Sequence, residues 1–145
     1  MLTVVILGAG ELGATLARRL AGRELAHRIV LVDSDEGKAR GKALDILESG
    51  PVDRFDTRVE GAPDAGSIDE PDILVVADAP ELTEGPGAAD RLAQIVAKRK
   101  PRLVVAAGAR PAASVDAILA AGFAADRVVG SAPVAVASEI GRAHV

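Results

Sequence analysis

A chain of 145 residues suits one domain, and its 21 acidic against 17 basic side chains, with only Lys98-Arg99-Lys100 clustered, argue against a nucleic-acid partner. The absence of cysteine excludes disulfides, thiolate catalysis and Cys-based metal sites, while the start Met1-Leu2-Thr3-Val4-Val5-Ile6-Leu7 has neither the basic opening of a signal peptide nor a membrane-length apolar run, so a cytoplasmic protein is expected. Hydrophobic residues make up 49% of the chain but aromatics 1%, which predicts a core of small and branched aliphatic side chains, as in a parallel sheet covered by Ala-rich helices.

Residues 3–7 are a continuous β-branched, apolar run ended by Gly8, the signature of a buried parallel strand. A helix is expected over 11–21, with Leu12, Leu16, Ala17 and Leu20 at helical spacing and Gly22 as a stop. A second buried strand covers 28–32 and closes at Asp33-Ser34-Asp35. A helix over 38–48 follows, with Ala39, Ala43, Leu44 and Leu47 on one face and Gly50-Pro51 as its breaker. Residues 54–60 form a weaker strand candidate, and 61–71 a polar loop with at most one helical turn. Residues 73–77 are a clear strand. The stretch 78–88, rich in Pro, Gly and acid, is expected to be an exposed loop, and 89–100 a helix with a basic last turn ended by Pro101. A strand over 102–106, a helix over 113–121 stopped by Gly122, and a short strand over 127–129 complete the chain. Repeated strand-helix alternation predicts an α/β fold of a single domain, a doubly wound parallel sheet with helices on both faces.

Gly8-Ala9-Gly10-Glu11-Leu12-Gly13 fits G-x-G-x-x-G, directly after a strand and opening a helix, which is the context a dinucleotide-binding (Rossmann) turn requires. Gly8 permits the tight turn, Gly10 lets backbone approach a pyrophosphate, and Gly13 lets the helix pack on the strand. The amide groups at Glu11, Leu12 and Gly13 and the positive end of the helix dipole then face the phosphates. Asp33, about 20 residues past Gly13 at the end of the second strand, stands where an acid accepts hydrogen bonds from the adenosine ribose and repels a 2′-phosphate. NAD is therefore expected over NADP, with Asp35 as a bystander. The carboxyl ends of the later strands nominate Ala77, Asp78 and Ala79, then Ala107 and Gly108, as further lining, the small residues admitting ribose and nicotinamide. Asp78 is the misfit, since a carboxylate near phosphates is unfavourable unless it points away. His27 and His144 have no partner at metal or triad spacing, so no metal and no catalytic residue are expected.

Beyond that turn, Ile29-Val30-Leu31-Val32-Asp33, followed by Lys38, Gly41 and Lys42-Ala43-Leu44-Asp45-Ile46, resembles the second strand and following helix of the lactate/malate dehydrogenase family. Gly122-Phe123-Ala124-Ala125-Asp126-Arg127-Val128-Val129-Gly130-Ser131 is similar to that family's G-F-P-x-x-R-V-I-G-S segment. The resemblance implies the NAD-binding half of an oxidoreductase that transfers hydride between NAD and a small 2-hydroxy acid, and it is compatible with a homo-oligomer. The substrate machinery it implies does not carry over. Glu81 stands in the loop where the family has cations, Gly108-Ala109 replace an Asn-Pro pair, and Val136 and Glu139 align with an Asp and an Arg. The family's catalytic His lies in a following domain, absent from this chain, so the chain alone is expected to be inactive. The alternative is a non-catalytic NAD-binding or NAD-sensing module, such as the regulatory domain of a potassium-uptake system. Residues 1–138 are assigned to the domain. Residues 139–145 are expected to be a non-native tail, because GAG ATC GGA AGA GCA CAC GTC encodes Glu139-Ile140-Gly141-Arg142-Ala143-His144-Val145 and, apart from its first base, reads as a sequencing-library adapter.

Overall fold

The computed structural model describes residues 2–66 and 68–131, so the expectation for 139–145 lies outside the described residues, as do Val136 and Glu139. Along the chain run β1 (Thr3–Leu7), α1 (Glu11–Gly22), β2 (Arg28–Val32), α2 (Glu36–Asp53), β3 (Arg58–Ala62), β4 (Ile73–Val76), α3 (Pro80–Thr83), α4 (Ala88–Arg99), β5 (Leu103–Ala106), α5 (Pro111–Ala120), a 3-10 turn (Ala125–Arg127) and β6 (Val128–Gly130). All pairings are parallel, and the strand order is β3-β2-β1-β4-β5-β6. This is the doubly wound arrangement, whose order reverses between β1 and β4.

Alternate residues of each strand feed opposite cores. Val4, Ile6, Ile29, Leu31, Val59 and Val75 pack with Ala17 and Ala21 of α1 and Ala39, Ala43 and Ile46 of α2. Val5, Leu7, Val30, Leu74, Val76 and Val104 pack with Leu92 and Val96 of α4 and Ile118 of α5. With both faces covered, β1, β2, β4 and β5 are apolar on both sides, which is why they appear in the sequence as aliphatic runs. The alanines bring α1 and α2 close to the sheet. At Gly61 in β3 the approach is tight enough that a Cβ would run into the backbone of Ala39 and Arg40.

Three expectations change. First, α2 runs through Gly50-Pro51 to Asp53. Pro51 sits in the last turn, where it forfeits one backbone donor, and the helix ends instead at Arg54, whose left-handed backbone (φ 61°) lets its N–H donate to the Gly50 carbonyl at 2.6 Å. Second, the buried face of α2 is Ala39, Ala43, Ile46 and Gly50, leaving Leu44 and Leu47 exposed. Third, the loop over 78–88 contains the short helix α3, pinned by buried Leu82 and by Arg91, whose Nε donates to the Glu81 carbonyl at 2.9 Å.

Sheet β3 is an edge strand guarded by charge. Glu60 accepts from Arg28 Nη2 at 2.9 Å, and Arg28 holds the Glu60 carboxyl below its ordinary range, chiefly through this side-chain hydrogen bond, with burial opposing. At the other edge, Arg127 donates to the carbonyls of Arg102 and Pro101, each at 2.8 Å, and lies 5.0 Å from the centre of the Phe123 ring, so the Phe and Arg of the family-like segment fasten β6 to the sheet.

Candidate functional site

The register brings the strand ends level. Leu7 pairs with Val32 and Val76, Val32 with Ala62, Val76 with Ala106, and Ala106 with Gly130. The residues that follow therefore form one carboxyl edge, and Gly8, Asp33, Ala77 and Ala107, nominated separately from sequence, stand side by side on it. Open sheets of this topology bind ligands outside the carboxyl ends of the strands at the switch point, here between β1 and β4.

The turn from β1 into α1 is built by its glycines. Gly8 has φ 108°, which an L side chain rarely adopts, and a Cβ there would lie 2.5 Å from the Asp78 carbonyl carbon. A Cβ at Gly13 would collide with the Gly8 carbonyl oxygen, so the bare residue sets how closely α1 meets β1. Asp33 reaches this turn from β2. Its Oδ2 accepts the Ala9 N–H at 3.0 Å and its Oδ1 the Asp35 N–H at 2.9 Å, with Lys38 Nζ 3.9 Å from Oδ2. Asp35 caps α2, accepting the Lys38 N–H at 3.1 Å. Asp33 thus sits at the mouth of the glycine turn with its side chain 14% exposed, a position where hydroxyl groups of a ligand can reach the carboxylate.

Asp78 points towards the turn. Its Oδ2 accepts the Leu12 N–H and its Oδ1 the Gly13 N–H, both at 3.0 Å, so the carboxylate lies on the amino terminus of α1. The condition that a carboxylate here should point away from the phosphates is not met, and the physical cause is the attraction of an anion to free amides and the helix dipole. Ala79, largely buried at the start of α3, lies at the base of the cleft beside Gly8. Gly108 packs so that a Cβ would meet the Ala77 carbonyl oxygen at 2.5 Å.

Next to Gly8 opens a cleft of about 520 Å³, walled by Leu7, Val32, Ser34, Ala65, Leu82 and Ile95 and rimmed by Arg91 and Arg99. Sequence reading did not find these walls, because Leu82 and Ile95 resemble ordinary core positions and the end of β3 is weakly patterned. Arg99 shapes one side by donating to the Gly66 carbonyl and Asp69 Oδ1, each at 2.9 Å. Among the described residues no group of His, Asp and Glu is placed to hold a metal, and no helix is long and apolar enough to cross a membrane.

A 3-2-1-4-5-6 parallel sheet, a glycine turn entering α1 and an acid at the end of β2 define a dinucleotide-binding domain. The profile of the lactate/malate dehydrogenase NAD-binding domain matches residues 2–99. Malate dehydrogenase from Salinibacter ruber is 32% identical over 143 residues, covering 90% of this chain and 46% of that protein. Malate dehydrogenase from Chlorobium phaeobacteroides (strain DSM 266) is 48% identical over 73 residues, 50% of this chain and 24% of that protein. A solved structure of the Salinibacter ruber enzyme superposes with a TM-score of 0.77 at 30% identity, covering 89% of this chain and 44% of that one. The chain therefore belongs to the lactate/malate dehydrogenase family, as an NAD-binding domain, and spans less than half the length of these relatives.

Proposed function

We propose that this domain holds NAD(H) across the carboxyl edge, with the adenosine ribose on Asp33, the pyrophosphate above Gly8, Gly10, Glu11, Leu12 and Gly13, and the nicotinamide half towards Ala77, Asp78, Ala79 and Ala107. The observation that carries the reading is the Asp33 carboxylate, fixed by the Ala9 and Asp35 amides beside the cleft. A carboxylate there accepts from both ribose hydroxyls and repels a 2′-phosphate, so NAD is preferred to NADP. When bound, NAD supplies the hydride acceptor, and the role of this chain is to position it. Titration of the full chain with NADH and NADPH, followed by nicotinamide fluorescence, tests the assignment: tighter NADH binding is expected, and equal or tighter NADPH binding overturns it.

The whole protein is read as an oxidoreductase acting on a small 2-hydroxy or 2-keto acid in the cytoplasm. Support comes from the family membership and from a fold neighbour, lactate dehydrogenase from Cryptosporidium parvum, solved with lactic acid and nicotinamide adenine dinucleotide (TM-score 0.72, 23% identity). Exposed Leu12, Leu44 and Leu47 leave apolar surface on α1 and α2 available to a second copy. One observation favours a non-catalytic NAD-binding module instead. Gly108 is packed against Ala77, so the side-chain amide that a dehydrogenase of this family carries has no room without backbone movement. No NADH formation from malate or lactate is expected from the purified chain, because Glu81 and Gly108 stand where the family's substrate-binding groups are, and turnover by the chain would exclude the non-catalytic reading.

A further inference from the structure

All three glycines of the turn lie against Asp78. A Cβ at Gly8 would strike the Asp78 backbone, one at Gly10 would overlap the Asp78 Oδ2, and one at Gly13 would stand 3.1 Å from Oδ1 as well as on the Gly8 carbonyl. The Gly10 position, whose bareness admits a pyrophosphate in a dinucleotide turn, here admits a carboxylate. That carboxylate holds the Leu12 and Gly13 amides, which are donors an incoming phosphate needs. The adenosine end fits the cofactor, since Asp33 and the neighbouring cleft are clear of Asp78, but the phosphate end does not fit while Asp78 keeps this rotamer. Its backbone is held between Gly8 and the Ala77 N–H bond to the Leu7 carbonyl (2.9 Å), so release of the amides falls to side-chain rotation.

We propose that Asp78 is an internal occupant of the pyrophosphate position, a gate that makes the phosphates contribute little to affinity and leaves recognition to the adenosine half. The proposal rests on the cofactor placement above. A diphosphate can take the amides only by expelling a negative charge from the helix terminus and then lying beside it, and both steps oppose binding.

The test is a ligand series of adenosine, ADP and NAD measured by calorimetry on the full-length wild-type chain and on Asp78→Ala and Asp78→Asn. In the wild type ADP is expected to bind about as tightly as adenosine, whereas in the variants ADP and NAD gain roughly tenfold, the scale of one freed anion site at a helix terminus. Adenosine affinity stays level across all three forms. Hydrogen exchange of the Leu12 and Gly13 amides, read without ligand, speeds up in both variants. In wild type saturated with NAD, the Asp78 carboxyl carbon and these amides shift in the NMR spectrum as the side chain swings out, a readout that stands even if a variant folds poorly. NAD binding equally to all three forms, or saturating the wild type with the Asp78 signals unmoved, overturns the gate and leaves the cofactor placement intact. Adenosine failing to bind any form, or binding Asp33→Ala as well as wild type, overturns the placement and the gate with it.

Discussion

Replacing Asp33 by Asn keeps the side chain's volume and removes its charge, which separates its two jobs. In the folded protein the carboxylate accepts two backbone N–H groups, from Ala9 and Asp35, and is largely shielded from water. An amide can accept one of these and must turn a donor towards the other. Bonds to a charged acceptor contribute about 1.5–3 kcal/mol each, so the expected cost is about 2 kcal/mol, or roughly 4–8 °C in Tm for a domain of this size. Towards ligand, the lost charge weakens both ribose contacts and lifts repulsion of a 2′-phosphate. At a separation of about 4 Å and an effective dielectric of about 20, two unit charges interact by about 4 kcal/mol, which screening at the cleft mouth brings to about 1–3 kcal/mol. The NADH-to-NADPH affinity ratio is therefore expected to fall by about one to two decades. Scanning fluorimetry reads the first effect and paired calorimetric titrations the second. A variant that loses stability but keeps the wild-type ratio would refute the ribose role of Asp33 and leave it a strut of the glycine turn.

Gly13→Ala forces α1 off β1 by driving a methyl into the Gly8 carbonyl, so NAD binding and thermal stability are expected to fall together, and circular dichroism melts with NADH titration check both. Ile6, fully buried in the centre of the sheet, is expected to cost about 2–5 kcal/mol as Ile6→Ala, measured by urea unfolding, with NADH binding kept where the variant is folded. Arg28→Ala removes the partner that holds the Glu60 carboxyl below its ordinary range. Folding makes that carboxyl more acidic, so its contribution is complete above its unfolded titration range and disappears as pH falls through the folded value. The Tm difference between wild type and Arg28→Ala is accordingly expected at neutral pH and should close in acid; a gap that widens in acid contradicts the assignment.

The parts of the fold that could be read from the residues are those whose causes are local. The apolar run Thr3–Leu7 ends at a glycine turn, and Ile73–Val76 is buried on both faces, so pattern and structure coincide. The errors lie where tertiary contacts choose between local options. In α2 the competing stripes of Leu44 and Leu47 against Ile46 and Gly50 are nearly equal in sequence, and packing of Gly50 on Phe55 helps select the second. Edge strand β3 buries little beyond Val59, so its start at Arg58 leaves no clear periodic trace. The candidate site divides in the same way. Asp33 follows from motif spacing, but the contacts of Asp78 with Leu12 and Gly13 join residues 66 and 65 positions apart and depend on the β1–β4 register, which no local pattern records. Sequence places Asp78 at the carboxyl edge and leaves the direction of its side chain open.

The central claim is that the carboxyl edge at the β1–β4 switch point is where this chain takes NAD(H). Backbone NMR of the full-length protein titrated with NADH maps that contact residue by residue. The account predicts saturable shifts at Gly8 through Gly13, Asp33 and Asp78 and along the cleft at Ser34 and Ile95, with the strand starts at Thr3, Arg28 and Ile73 unmoved. Saturable shifts confined to the opposite edge of the sheet, or none at millimolar NADH, would contradict it.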